Sequence, residues 1–179
     1  MANPPSIYLD GTGDYCVAPI ENTINYTISG HSWTFECWFY KLGTVLKCLA
    51  TCGPANAGNI NRGWSLSVDP ANSIIYMSSS GADNAFTGVT IPINAWNHIA
   101  YDYNVSSTTM RVYLNGVLVG TKASPVLSNP TVASSDRLVI GASYAYGANF
   151  DGYISDIRWT RGQTLYSGFE PPTQPFATR

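Results

Sequence analysis

Charge is what this 179-residue chain has least of. Asp, Glu, Lys and Arg make up 11% of it, against about 25% in an average globular domain. Nine Lys and Arg are scattered without a basic run and the net charge is −2, so the electrostatic footprint of a nucleic-acid binder is missing. No apolar run approaches the ~20 residues of a membrane span. The opening MANPPSIYLDG has no charged segment followed by an apolar one and does not read as a secretory signal, which predicts synthesis and folding in a cytosol. Histidine is nearly absent too: His31 and His98 are the only two, and neither stands near a Ser or Cys in a nucleophile motif. Cysteine is limited to Cys16, Cys37, Cys48 and Cys52. In a cytosol these read as free or buried thiols, while the even count would permit two bridges in an oxidising setting. The Cys48-x-x-x-Cys52 spacing falls short of the four ligands that a closed zinc site needs.

What is present is apolar and aromatic: 45% hydrophobic residues, 13% aromatic. That is far from the composition of a disordered chain. A chain of this length hides roughly 70% of its unfolded surface in one domain, so residues 1–179 are expected to share one core. With so little charge, the surface must be Ser, Thr, Asn, Gly and Tyr, which suits contact with another protein or with sugars.

Period-two alternation recurs along the chain and helical periodicity is nowhere sustained. Residues 33–40 place Trp33, Phe35, Cys37 and Phe39 on one face, the predicted core, and Thr34, Glu36, Trp38 and Tyr40 on the other. Residues 96–103 place Trp96, His98, Ala100 and Asp102 opposite Asn97, Ile99, Tyr101 and Tyr103. Met110, Val112 and Leu114 lead to Asn115-Gly116, the strongest short hairpin signal because both residues tolerate positive φ. Residues 7–9 and 15–17 flank an Asp- and Gly-rich turn and read as a first hairpin. Strands are expected near 45–50, 64–68, 74–77 and 138–141, with residues 78–88 as a loop. In the last strand Tyr153, Ser155, Ile157 and Trp159 are assigned to one face, and Ile154, Asp156 and Arg158 to the other. Many short strands without helices predict an all-β antiparallel β-sandwich.

The closing segment carries a resemblance. Gly152-Tyr153-Ile154-Ser155-Asp156-Ile157-Arg158, then Gly162, Tyr166, Phe169 and Pro171-Pro172-Thr173, is similar to the end of laminin-G-like domains of the concanavalin A-like jelly-roll superfamily, in the form found in bacteriophage virion proteins. Leu165 stands where that form usually has Arg. The Asp10-Gly11 opening, Thr34-x-Glu36-x-Trp38 and Trp96-x-His98-Ile99-Ala100 resemble the same family over nearly the whole chain. The resemblance implies a jelly roll and a virion component, such as a capsid decoration (cement) protein or a small tail protein. Such a protein would be made in the host cytoplasm and displayed on the virion surface, with other virion proteins as partners and a homo-oligomeric state. The alternative it implies is a lectin-like module that binds host or surface glycans.

Catalysis is not expected. The superfamily's laminarinase-type hydrolases carry paired carboxylates as E-x-D-x-E, and no such string occurs. Glu36 and His98 are read as structural. The candidate binding residues are aromatics placed on loops: Trp64, Phe86, Tyr144 and Tyr146. No cofactor is required. Calcium, which many relatives bind, has oxygen-donor candidates in Asp83, Asn84, Asn149 and Asp151, although loop Asp and Asn more often make turns. Asn25-Tyr26-Thr27 and Asn104-Val105-Ser106 match the glycosylation pattern, which without a signal reads as chance.

Overall fold

A computed structural model describes residues 5–18, 28–53, 64–79, 82–127, 137–143 and 148–166. Alternation is translated directly into strands: β1 (Ile7–Asp10), β2 (Cys16–Val17), β3 (Trp33–Lys41), β4 (Lys47–Gly53), β5 (Trp64–Asp69), β6 (Ile74–Ser79), β7 (Ala82–Thr87), β8 (Trp96–Asn104), β9 (Thr109–Leu114), β10 (Val117–Ala123), β11 (Arg137–Ile140) and β12 (Asp151–Arg161). No helix occurs among the described residues. The strands form two six-stranded antiparallel sheets, ordered β1-β12-β3-β8-β9-β10 and β2-β11-β4-β5-β6-β7, so the expected all-β antiparallel β-sandwich is what forms.

The core lies between the sheets. Trp33, Phe35, Cys37 and Phe39 face it from β3 with Ile99 and Tyr101 from β8, against Leu66, Val68, Ile75 and Met77 of the second sheet. Each fully buried side chain of this size contributes about 1.5–3 kcal/mol relative to exposure. Three indoles bind the sheets together, Trp159 stacking on Trp33 at 5.3 Å and on Trp64 at 5.1 Å. All four cysteines are thiols, Cys16 half-buried and the others buried. Burial raises the Cys48 thiol to about 12.

Three local expectations are corrected. Residues 7–17 do not form a hairpin, because β1 pairs with β12 in one sheet and β2 with β11 in the other. The Asp- and Gly-rich stretch is a corner between sheets: Thr12 N donates to Asp10 Oδ1 at 2.7 Å, and Asp10 N to Asp14 Oδ2 at 3.2 Å. Residues 82–87, read as loop from their Ala, Asp, Asn and Thr content, form the edge strand β7, with Asn84 and Phe86 buried and Ala85 and Thr87 exposed. A bulge interrupts β12. Ser155 pairs with Trp38 but Arg158 with Glu36, so three steps on β12 match two on β3, and Asp156 takes φ 49°. One extra residue reverses the facing of everything after it. Ile157 and Trp159 therefore pack on the core rather than siding with Tyr153, and Arg158 points outward. The Asn115-Gly116 turn is as expected, with φ 51° and 81°.

Candidate functional site

The outer face of the first sheet, away from the core, is where the chain's polar and aromatic side chains gather in registered rows. One row is Thr160, Thr34, Asp102 and Arg111; the next is Arg158, Glu36, Ala100 and Tyr113. Then come Ser155, Trp38 and His98, and finally Tyr8, Tyr153, Tyr40 and Trp96. Cross-strand neighbours on one face stand about 5 Å apart, so each row is a line of side chains in contact.

The first two rows are sealed at their centre, where Thr34, Asp102, Glu36, Ala100 and Tyr113 are buried, while Arg158 is exposed and Thr160 and Arg111 are partly buried. Glu36 is fully buried, and three donors converge on its carboxylate: Arg158 Nε and Tyr166 Oη in short hydrogen bonds and His98 Nε2 at 3.0 Å. A carboxylate only accepts, so His98 Nε2 carries the proton in this bond. Burial alone would raise the Glu36 pKa, but the hydrogen bonds from His98, Tyr166 and Arg158 outweigh it and hold it below its ordinary 4.5. Burial, then the Glu36 charge, pushes the Tyr166 phenol well above its usual range. Tyr166 reaches this position because the chain after β12 folds back over the sheet, where Leu165 N donates to Thr34 Oγ1 at 3.0 Å and Tyr113 Oη to Tyr166 O at 3.3 Å. Asp102 is buried in the same cover. Thr34 Oγ1 donates to it at 2.6 Å and Arg111 stands at 3.8 Å, yet burial dominates and keeps its pKa above the ordinary 3.8.

The last row is open. Tyr8 is 52% exposed and Tyr153 37%, and Tyr40 and Trp96 are half-buried. Ring centroids step along the row at 5.0, 5.9 and 5.8 Å, with Tyr40 nearly perpendicular to both neighbours at 83° and 68°. Gly152 makes this spacing attainable. It takes φ 139°, and a Cβ there would lie 1.9 Å from the Tyr40 carbonyl oxygen. Trp38, 4% exposed and two residues from Tyr40 on the same face, has no acceptor for Nε1 among the described residues.

The predicted site residues that are described are not brought together. Trp64 and Phe86 lie in β5 and β7 rather than on loops, and both are buried in the core, Phe86 beneath Gly120 of β10. Tyr144 and Tyr146 lie outside the described residues. Of the calcium candidates, Asp83 and Asn84 belong to β7 at one sheet edge, while Asp151 opens β12 in the other sheet and Asn149 lies two residues before it. Asn84 is spent on the carbonyls of Met77 and Val126 at 3.1 and 3.2 Å. Asp151 sits near the buried Lys41, whose ammonium donates to Leu42 O at 3.1 Å. No cluster of three or more His, Cys, Asp or Glu placed to hold a metal occurs among the described residues. Of the two glycosylation matches, Asn25 is undescribed, and Asn104 accepts from the amides of Ser106 and Ser107. An apolar cleft of about 550 Å³ between β2, β11 and the second half of β12, lined by Val17, Leu138, Ile140 and Trp159, offers little chemistry beyond Cys16 and Arg161.

Comparison with known proteins agrees with this architecture. The family described as Laminin_G_3, concanavalin A-like lectin/glucanases superfamily, matches residues 10–163. No curated protein sequence matches. Among solved structures, the IT-sialidase CBM40 of Ruminococcus gnavus, bound to α2,3 sialyllactose, superposes with TM-score 0.71 at 13% identity, covering 91% of each chain. A point mutant of the NanB sialidase from Streptococcus pneumoniae gives 0.69 at 16% identity over 90% of this chain and 26% of its own. The heptameric SAP-like pentraxin of Limulus polyphemus gives 0.56 at 16% identity over 75% of this chain and 65% of its own.

Proposed function

The chain belongs to the concanavalin A-like lectin/glucanases superfamily, and on that premise we propose that it is a non-catalytic glycan-binding module whose contact surface is the row Tyr8, Tyr153, Tyr40 and Trp96. The observation that carries this is the row itself: four aromatics held in register across β1, β12, β3 and β8, with two of them exposed. Sugar rings present C–H faces that stack on aromatic rings, while hydroxyls at their rims take hydrogen bonds, and Tyr and Trp serve both needs. The fold neighbour solved with sialyllactose supports a glycan over other ligands. Hydrolysis is not part of the proposal, because the E-x-D-x-E string that carries the paired carboxylates of the superfamily's hydrolases is absent from the sequence. Glu36 and Asp102, the buried carboxylates on this face, are fully enclosed and held by Arg158, His98, Tyr166 and Thr34.

A glycan array probed with the purified chain tests the reading. Specific signals that Tyr153→Ala abolishes are expected; an array with no signal from the folded protein overturns it. The narrower role of bacteriophage virion component, with host glycans as its target, rests on the closing-segment resemblance at Gly152 to Arg158, Gly162, Tyr166, Phe169 and Pro171-Pro172-Thr173 and on the low charge. Finding the protein as a repeated component of purified particles would support it.

A further inference from the structure

Resting on that reading, we infer that the ligand is an uncharged, unbranched oligosaccharide that lies across the strands along the aromatic row, about three sugar rings long, and not a sialylated one. Three observations lead here.

The first is length. Four rungs on adjacent strands span three strand spacings, about 14 Å at ~4.8 Å each, which is close to three consecutive pyranose units. Ring centroids step at 5.0, 5.9 and 5.8 Å, so the repeat of the row resembles that of a sugar chain laid perpendicular to the strands.

The second is charge. Asp10 and Asp151 are paired with each other two residues along β1 and β12 from Tyr8 and Tyr153, hence on the same face. Asp156 lies in the bulge beyond Ser155, on the other side of the row. The arginines of this sheet are engaged elsewhere: Arg158 with Glu36, Arg111 with Asp102 and Arg161 with His31. Lys41, next to Tyr40, is fully buried. Among the described residues, a sugar carboxylate laid on this row would meet aspartates with no unengaged guanidinium or exposed ammonium beside it, an unfavourable juxtaposition. Sugar hydroxyls, by contrast, can donate to Asp10 and Asp151.

The third is shape. Tyr40 stands at 83° to Tyr153 and 68° to Trp96, so the rings do not form one plane. A flat crystalline polymer surface has no purchase on such a row, whereas a single soluble chain can follow it.

Calorimetric titration of the full chain separates the outcomes. The probes are α- and β-linked gluco-, manno- and xylo-oligosaccharides of two to six units, together with 3′-sialyllactose, each at low and high salt. The expected result is binding of a neutral series with affinity that rises to three or four units, then levels, and does not change with salt. Tyr153→Ala and Trp96→Ala should each weaken it by about tenfold or more, the effect of losing a stacked ring. Length dependence in the unmodified protein needs no variant, so a misfolded mutant does not rescue the idea. Binding confined to sialyllactose, or binding that falls steeply with salt, overturns the inference and leaves the glycan-binding reading standing. Absence of binding to every glycan here and on the array overturns both.

Discussion

Two halves of one sheet face, sharing β12, β3 and β8 and the same alternation, have been put to opposite uses. Around Glu36 the face is covered by residues 165–166 and tied by buried hydrogen bonds. Around Tyr40 it lies open, and aromatic rings take the place of polar anchors. The buried Glu36 carboxylate is held by three donors, so the covered half cannot give up a partner to a ligand without losing stability. The open half holds its rings by packing and can lose one with little structural cost. The comparison separates residues that hold the fold from residues free to bind.

The largest expected effect comes from breaking the covered half. Glu36→Ala removes the acceptor that His98, Arg158 and Tyr166 share, at a cost of about 3–5 kcal/mol; chemical denaturation measures this. Gly152→Ala should follow, because it forces a Cβ against the Tyr40 carbonyl at positive φ, costing about 2–3 kcal/mol. This change should weaken glycan binding as well as stability, since Gly152 sets the approach of Tyr153 to Tyr40. Tyr166→Phe keeps the ring and removes one donor, so a loss of about 1–2 kcal/mol is expected, without change in glycan affinity.

Acid sharpens the same contrast. Glu36 is held below 4.5 by its donors, so its contribution is present above that value and is lost as pH falls through its folded pKa. Asp102, raised above 3.8 by burial, acts in the opposite sense: its cost is relieved as pH falls. Stability should therefore decline below about pH 4.5 with a slope that Glu36→Gln flattens, and Asp102→Asn should steepen it slightly. An unchanged slope in Glu36→Gln would mean that another group governs acid unfolding.

Much of this was legible in the chain. The core face of β3, the outward placement of Tyr40 and the Asn115-Gly116 hairpin follow from alternation and turn chemistry, which are local. The β12 bulge was hidden because no residue type requires it; Asp156 at φ 49° exists so that both Ile154 and Trp159 can reach the core. The aromatic row was half visible. Tyr40 and Trp96 each had the right face, but their alignment with Tyr8 and Tyr153 depends on which strands pair, a non-local property. Loop aromatics were a poor guide, since Trp64 and Phe86 are core residues. Tyr166 carried a faint signal as a lone aromatic after the last strand, with nothing in the sequence to link it to Glu36 some 130 residues earlier.

The central claim, that the open half binds a glycan and the covered half holds the fold, is tested most directly by titrating one bound oligosaccharide against Tyr153→Ala and Tyr166→Phe side by side, with the melting temperature of each. The account predicts that Tyr153→Ala loses about tenfold or more in affinity at nearly unchanged melting temperature, and that Tyr166→Phe melts earlier and binds as the parent does. Parent-like affinity in Tyr153→Ala, or loss of binding in a folded Tyr166→Phe, would contradict it.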